Sequence, residues 1–141
     1  RDWQNIRVYS PNLNASVLAQ FGAIDCRAEP ATSVEAAVAD ADVVLLGWGS
    51  TWAAIDAAVQ RTRRAGTKVA WIHLTHLNPL PPNLGELLKK YKHVLVPELN
   101  MGQLCRLIRA DFLIDAKPVT KVQGLPFTSA ELETAIQEVL K

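Results

Sequence analysis

Glu98 lies in the stretch Val96-Pro97-Glu98-Leu99-Asn100-Met101-Gly102-Gln103-Leu104, immediately after a short apolar run. A carboxylate in that place can bind a cation, accept amide hydrogen bonds from a neighbouring helix start, or engage another subunit. Asn100 and Gln103 stand at capping-box spacing, so closing a helix start accounts for both, and anchoring of the loop is preferred to direct catalysis for Glu98. The second stretch with chemical potential is Gly47-Trp48-Gly49-Ser50-Thr51. Its two glycines let backbone approach a ligand, Ser50 or Thr51 can cap the helix that follows, and free amides at a helix start suit an anion. The third glycine of the dinucleotide fingerprint is missing, and no Gly-Lys-Ser/Thr is present, so neither nucleotide motif is complete.

The remaining reactive residue types do not assemble into a set. His73 and His76 are poorly spaced for one helix face and have no nearby Cys or carboxylate, so they read as strand-end hydrogen-bonding residues. Cys26 and Cys105 each sit in an apolar pattern and read as two buried thiols of a reducing compartment. Two cysteines without a CxxC cannot hold a four-cysteine iron–sulfur cluster. No catalytic residue and no metal ligand is assigned. Trp48 and Trp52 bracket the first loop, where a partly exposed pair suits a protein interface.

The elements that must position these residues alternate between β-type and helical periods. Expected strands are Asn5–Tyr9, Ile24–Ala28, Asp42–Gly47, Lys68–Leu74 and His93–Val96, with weak pieces at Leu113–Asp115 and Val119–Val122 broken by Pro118. Asp42–Gly47 is apolar without alternation, the mark of a central strand covered on both faces. Expected helices run from Leu13 to Phe21, Thr32 to Asp40, Thr51 to Ala65, Asn83 to Tyr91, Met101 to Ala110, and onward from the capping box Thr128-Ser129-Ala130-Glu131. Leu104, Leu107 and Ile108 are expected to face inward, and Arg61, Arg63, Arg64 and Lys89, Lys90, Lys92 to be solvated helix ends. Strands alternating with helices give a three-layer α/β/α domain around a largely parallel open sheet of five or six strands. In such sheets ligands bind beyond the carboxyl ends of the strands, where both candidate loops fall.

Size and charge bound the rest. A chain of 141 residues supports one domain. Fifteen basic residues against fourteen acidic ones give no electrostatic case for nucleic acid or an anionic membrane surface. No apolar run approaches the ~20 residues of a membrane helix. The chain opens on Arg1 rather than Met and is read as a piece of a longer polypeptide.

Gly47-Trp48-Gly49-Ser50-Thr51, His76-Leu77-Asn78-Pro79-Leu80-Pro81, Pro97–Leu104 and Gly124-Leu125-Pro126-Phe127 occur in this order. Their order and separations resemble the C-terminal region of the alpha subunit of 2-oxoacid:ferredoxin oxidoreductases, most closely the 2-oxoglutarate type. The likeness covers about Asp42 to Lys141, a core set apart from residues 1–41, which fit loosely. It implies a fold like the C-terminal domain of transketolase. It also implies a cytoplasmic enzyme that oxidatively decarboxylates a 2-oxoacid with coenzyme A and passes electrons to ferredoxin. By the same resemblance, thiamine diphosphate with Mg2+ and an iron–sulfur cluster belong to other parts of the assembly, and none is bound by this chain. The implied partners are the remainder of the alpha subunit and the beta subunit. Trp52-Ala53-Ala54 departs from the family, where an aromatic residue and then Gly often follow the turn, and this weakens any close-backbone role for that helix start. The alternative is a free-standing module that binds a small anion or nucleotide at the Gly47–Thr51 turn.

Overall fold

The computed structural model describes residues 6–9 and 41–141. The expected strand at Ile24–Ala28 and the first two expected helices lie outside the described residues. The strands are β1 (Ile6–Tyr9), β2 (Val43–Trp48), β3 (Val69–Leu74), β4 (His93–Glu98) and β5 (Ala116–Thr120). The helices are α1 (Trp52–Arg64), α2 (Leu84–Leu88), α3 (Gln103–Phe112) and α4 (Ser129–Val139), with a 3-10 turn at Gly49–Thr51 leading into α1. The sheet order is β1-β3-β2-β4-β5. Strands β2 to β5 run parallel, whereas β1 joins the edge antiparallel to β3, with Ile6 opposite Leu74.

Alternate residues of the central strands feed two cores, one on each face, which makes the three layers. Val44 and Leu46 of β2, with Ala70 and Ile72 of β3, pack against Leu84 and Leu88 of α2 and Leu104 and Ile108 of α3. Val43 and Leu45, with Val69 and Trp71, pack against Ile55 and Val59 of α1 and Leu132 and Ile136 of α4. A strand buried on both faces must be apolar at every position, and β2 is buried from Val43 through Gly47.

Four local expectations are corrected. Pro118 does not divide the last strand but sits inside β5, opposite Val96. An edge strand needs to satisfy only one neighbour and so tolerates a residue without an N–H. Leu113, expected in a strand, is instead the left-handed C-cap of α3 at φ 54°. Leu107 is substantially exposed, because the inward stripe of α3 is Leu104, Cys105 and Ile108. Arg63 is likewise no solvated helix end: it is half-buried and its Nε donates to the Val69 carbonyl, tying α1 to the start of β3. Burial pulls its guanidinium below its ordinary pKa, with Tyr91 acting in the opposite direction.

The connections place the site. From β2 the chain passes through α1 to β3 on one side of β2, then returns through α2 to β4 on the other side. Helices α1 and α3 therefore leave β2 and β4 toward opposite faces of the sheet. The crevice between the carboxyl ends of β2 and β4 is the switch point at which open α/β sheets hold ligands.

Candidate functional site at the β2–β4 switch point

Strand β2 ends in the Gly47–Thr51 turn and β4 ends in Glu98, so the two candidate loops meet. A crevice of about 280 Å³ lies between them, lined by Trp48, Gly49, Ser50, Thr51, Leu99 and Asn100. Gly47 lies behind it, inside β2. A Cβ there would collide with Ile55 Cδ1 of α1 and come within 3.1 Å of Thr51 Oγ1, so a larger residue would displace the Ile55 side chain where α1 packs on the strand.

Glu98 is fully buried at the foot of α3. Its Oε1 accepts from the Leu104 amide at 2.9 Å, and its Oε2 from the Cys105 amide at 3.0 Å. Asn100 Nδ2 adds a third bond to Oε1 at 3.1 Å. Free amides of the first helical turn are the donors that a carboxylate suits best, by hydrogen bonding and by the helix dipole. Of the roles open to Glu98 from sequence, the geometry displays the capping of a neighbouring helix start.

Asn100 Oδ1 accepts from the Gly102 amide at 2.8 Å and the Gln103 amide at 3.2 Å. The expected capping box between Asn100 and Gln103 is corrected here. Gly102, at φ 81°, occupies the N-cap position without a side-chain cap, and Gln103 contributes its backbone amide while its side chain is exposed. The left-handed bend at Gly102 swings the first turn of α3 over Glu98, whose carboxylate takes the capping role.

In the first loop, Thr51 is buried and its hydroxyl is turned back on the strand end. It donates to the Trp48 carbonyl at 2.8 Å and accepts the Trp48 amide at 3.3 Å. It therefore closes the 3-10 turn rather than capping α1, whose start has no side-chain cap. Ser50 and Gly49 are exposed. Gly49 has φ 59° and open space where a Cβ would point. Trp48 is half-buried, and Trp52 and Met101 are 41% and 63% exposed.

Cys105 presents its thiol away from the crevice and donates to the Ala116 carbonyl at 3.4 Å. Burial pushes the thiol up, and the Glu98 carboxylate adds to that, so Cys105 remains a protonated packing residue. His76 is exposed, with Nδ1 3.1 Å from Thr75 Oγ1, while His73 is half-buried near the ring of Trp71. Among the described residues no three His, Cys, Asp or Glu side chains are grouped to hold a metal ion.

Sequence reasoning missed the lock on the last loop. Lys121 Nζ donates to both carboxylate oxygens of Glu131, at 2.8 and 2.9 Å, and to the Pro126 carbonyl at 2.9 Å. Glu131 also closes the capping box with Thr128 at the start of α4. The capping box was legible as Thr-x-x-Glu; the lysine was not, because Lys121 lies ten residues before Glu131.

The family model for pyruvate:ferredoxin oxidoreductase core domain II matches residues 41–138. The chain belongs to this family. It is 46% identical over 111 residues to the 2-oxoglutarate oxidoreductase subunit KorA of Mycobacterium tuberculosis, covering 79% of this chain and 17% of that protein. It is 32% identical over 128 residues to the NAD(P)H-dependent anabolic L-arginine dehydrogenase DauB of Pseudomonas aeruginosa, covering 78% of this chain and 41% of that protein. The solved 2-oxoglutarate:ferredoxin oxidoreductase of Magnetococcus marinus superposes with a TM-score of 0.69 at 36% identity, over 72% of this chain and 18% of that one. Transketolase of Campylobacter jejuni superposes with a TM-score of 0.51 at 14% identity, over 70% of this chain and 17% of that one, and so shares the fold. The expected three-layer, transketolase-like α/β architecture is present. The chain spans about a sixth of the length of KorA and of the solved oxidoreductase.

Proposed function

We propose that this chain is the core domain II of the alpha subunit of a cytoplasmic 2-oxoglutarate:ferredoxin oxidoreductase, and that within it the domain holds the assembly together rather than reacting with substrate. The observation that carries this reading is the 46% identity to a 2-oxoglutarate oxidoreductase subunit, joined to a site whose polar groups are already committed to the fold. The Glu98 carboxylate is taken up by two amides and Asn100, and the Thr51 hydroxyl by Trp48. Of the side chains lining the crevice, Ser50 alone keeps an uncommitted hydroxyl at the surface. The donor set of this chain does not fit an iron–sulfur cluster, since the sequence has two cysteines and Cys105 is turned into the α3–β5 contact. The family resemblance assigns thiamine diphosphate, Mg2+ and the cluster to the remainder of the alpha subunit and to the beta subunit, with ferredoxin as acceptor of the whole. Purified alone and supplied with thiamine diphosphate, Mg2+, coenzyme A and 2-oxoglutarate, the chain will not reduce a viologen dye. Turnover by the isolated chain would overturn the reading.

A second reading has one observation in its favour: a crevice of about 280 Å³ at the switch point, in a chain that also resembles an NAD(P)H-dependent dehydrogenase. It would make the chain a nucleotide or small-anion binder. The incomplete glycine fingerprint and the antiparallel β1 are unlike a dinucleotide-binding βαβ unit. Thermal melts with NADPH, coenzyme A and phosphate separate the two readings. A ligand-dependent rise in Tm that disappears in Gly49→Val supports the binder.

A further inference from the structure

The segments that carry the family likeness share one place in the fold. The loops 47–52, 75–83, 97–103 and 121–128 leave the carboxyl ends of β2, β3, β4 and β5, so all four line the same edge of the sheet. In these loops the Asp, Glu, Lys and Arg residues are Glu98 and Lys121 alone, with His76 the one histidine, although the chain has 15 Lys and Arg and 14 Asp and Glu. Both are spent internally: Glu98 is fully buried under α3, and the Lys121 side chain is 10% exposed and held by Glu131. Large apolar side chains stand out instead. Trp52, Met101, Val122 and Leu125 are 41%, 63%, 62% and 61% exposed, around the crevice and on the locked last loop. Depletion of charge with Trp and Met on the surface marks the centre of a protein interface, not a solvated loop face.

We infer that this edge is the docking face of the domain, and that its occupant is an apolar, uncharged surface of the remainder of its own alpha subunit. The inference rests on the reading of the chain as an alpha-subunit domain and assigns the surface by which it is held. More than four fifths of the polypeptide of KorA and of the solved oxidoreductase lies outside the matched domain. A surface on the same polypeptide is held near the domain by the connecting chain, which raises its effective concentration over that of a separate chain and favours it as the cover of an exposed apolar face. The lining of the crevice carries no charged side chain, and its Thr51 and Asn100 are already hydrogen-bonded, so an apolar side chain fits there and an ion does not.

The test places the photocrosslinker benzoylphenylalanine at Met101 or Leu125 of the full-length gene product that carries this sequence, with Asp111, exposed on α3, as the control position. Crosslinked peptides are expected to map within the same polypeptide outside residues 41–141, at a yield at least ten-fold above the control. Crosslinks to a beta subunit, crosslinks to a second copy, or yields equal to the control overturn the inference. The unsubstituted gene product, purified together with its beta subunit, is assayed for 2-oxoglutarate-dependent viologen reduction. Crosslinks within the chain without turnover would leave the docking face standing and remove the oxidoreductase reading; turnover without them would do the reverse.

Discussion

Removing the Glu98 carboxylate strands the buried amides of Leu104 and Cys105. Each such donor costs about 1–3 kcal/mol, so Glu98→Ala is expected to destabilise the chain by roughly 3 kcal/mol in urea unfolding. Glu98→Gln keeps one carbonyl acceptor but turns an NH2 group toward an amide, and should cost roughly half as much. An unchanged unfolding midpoint in Glu98→Ala would contradict the capping role. Gly102→Ala forces a side chain into a left-handed backbone at φ 81° and should cost about 1–2 kcal/mol in the same experiment. The importance of Glu98 was legible from its place after a buried strand; its partners were not. Asn100 and Gln103 stand at box spacing, but the positive φ of Gly102 moves the helix start and hands the amides to a residue six positions earlier in the chain than Leu104.

At the scale of elements, helix α4 is tied to the loop before it by a titratable lock. Hydrogen bonding from Lys121, then from Thr128, pulls Glu131 from its ordinary value of 4.5 down to about 2. A carboxyl depressed in the folded state binds fewer protons there than in the unfolded chain, so stability rises with pH across this window. The contribution of the lock is fully present above about pH 4.5 and is lost as pH falls toward 2. Glu131→Gln should flatten the pH dependence of Tm in that range, leaving the smaller slope due to Asp42, which its hydrogen bond to Lys92 also holds low. An unaltered slope would show that the lock does not form. Thr128→Ala removes the N-cap of α4 at a cost of about 1 kcal/mol, read in the same melts. Elements buried on both faces were legible in sequence, because β2 from Val43 to Leu46 and β4 from Val94 to Val96 are unbroken apolar runs. The edge was not. Strand β5 has exposed Lys117, Pro118 and Thr120, so no period marks it, and only pairing with β4 makes it a strand.

At the scale of the whole molecule, the residues that mark the family are not residues arranged for chemistry. The stretches that identify the family gather at one edge of the sheet, where they form turns, a cap and an apolar face. No described helix is long and apolar enough to cross a membrane. The crevice at the switch point leaves Ser50 as the one lining side chain with a hydroxyl free to act on a ligand. On the proposed function, the most direct measurement is the 2-oxoglutarate-dependent viologen reduction of the full-length assembly with Ser50→Ala. The account predicts kcat and KM within about twofold of the unsubstituted enzyme, as for a surface group that touches no reacting atom. A fall in kcat of about 100-fold or more, the scale of a lost general acid or base, would place the chemistry in this domain and contradict it.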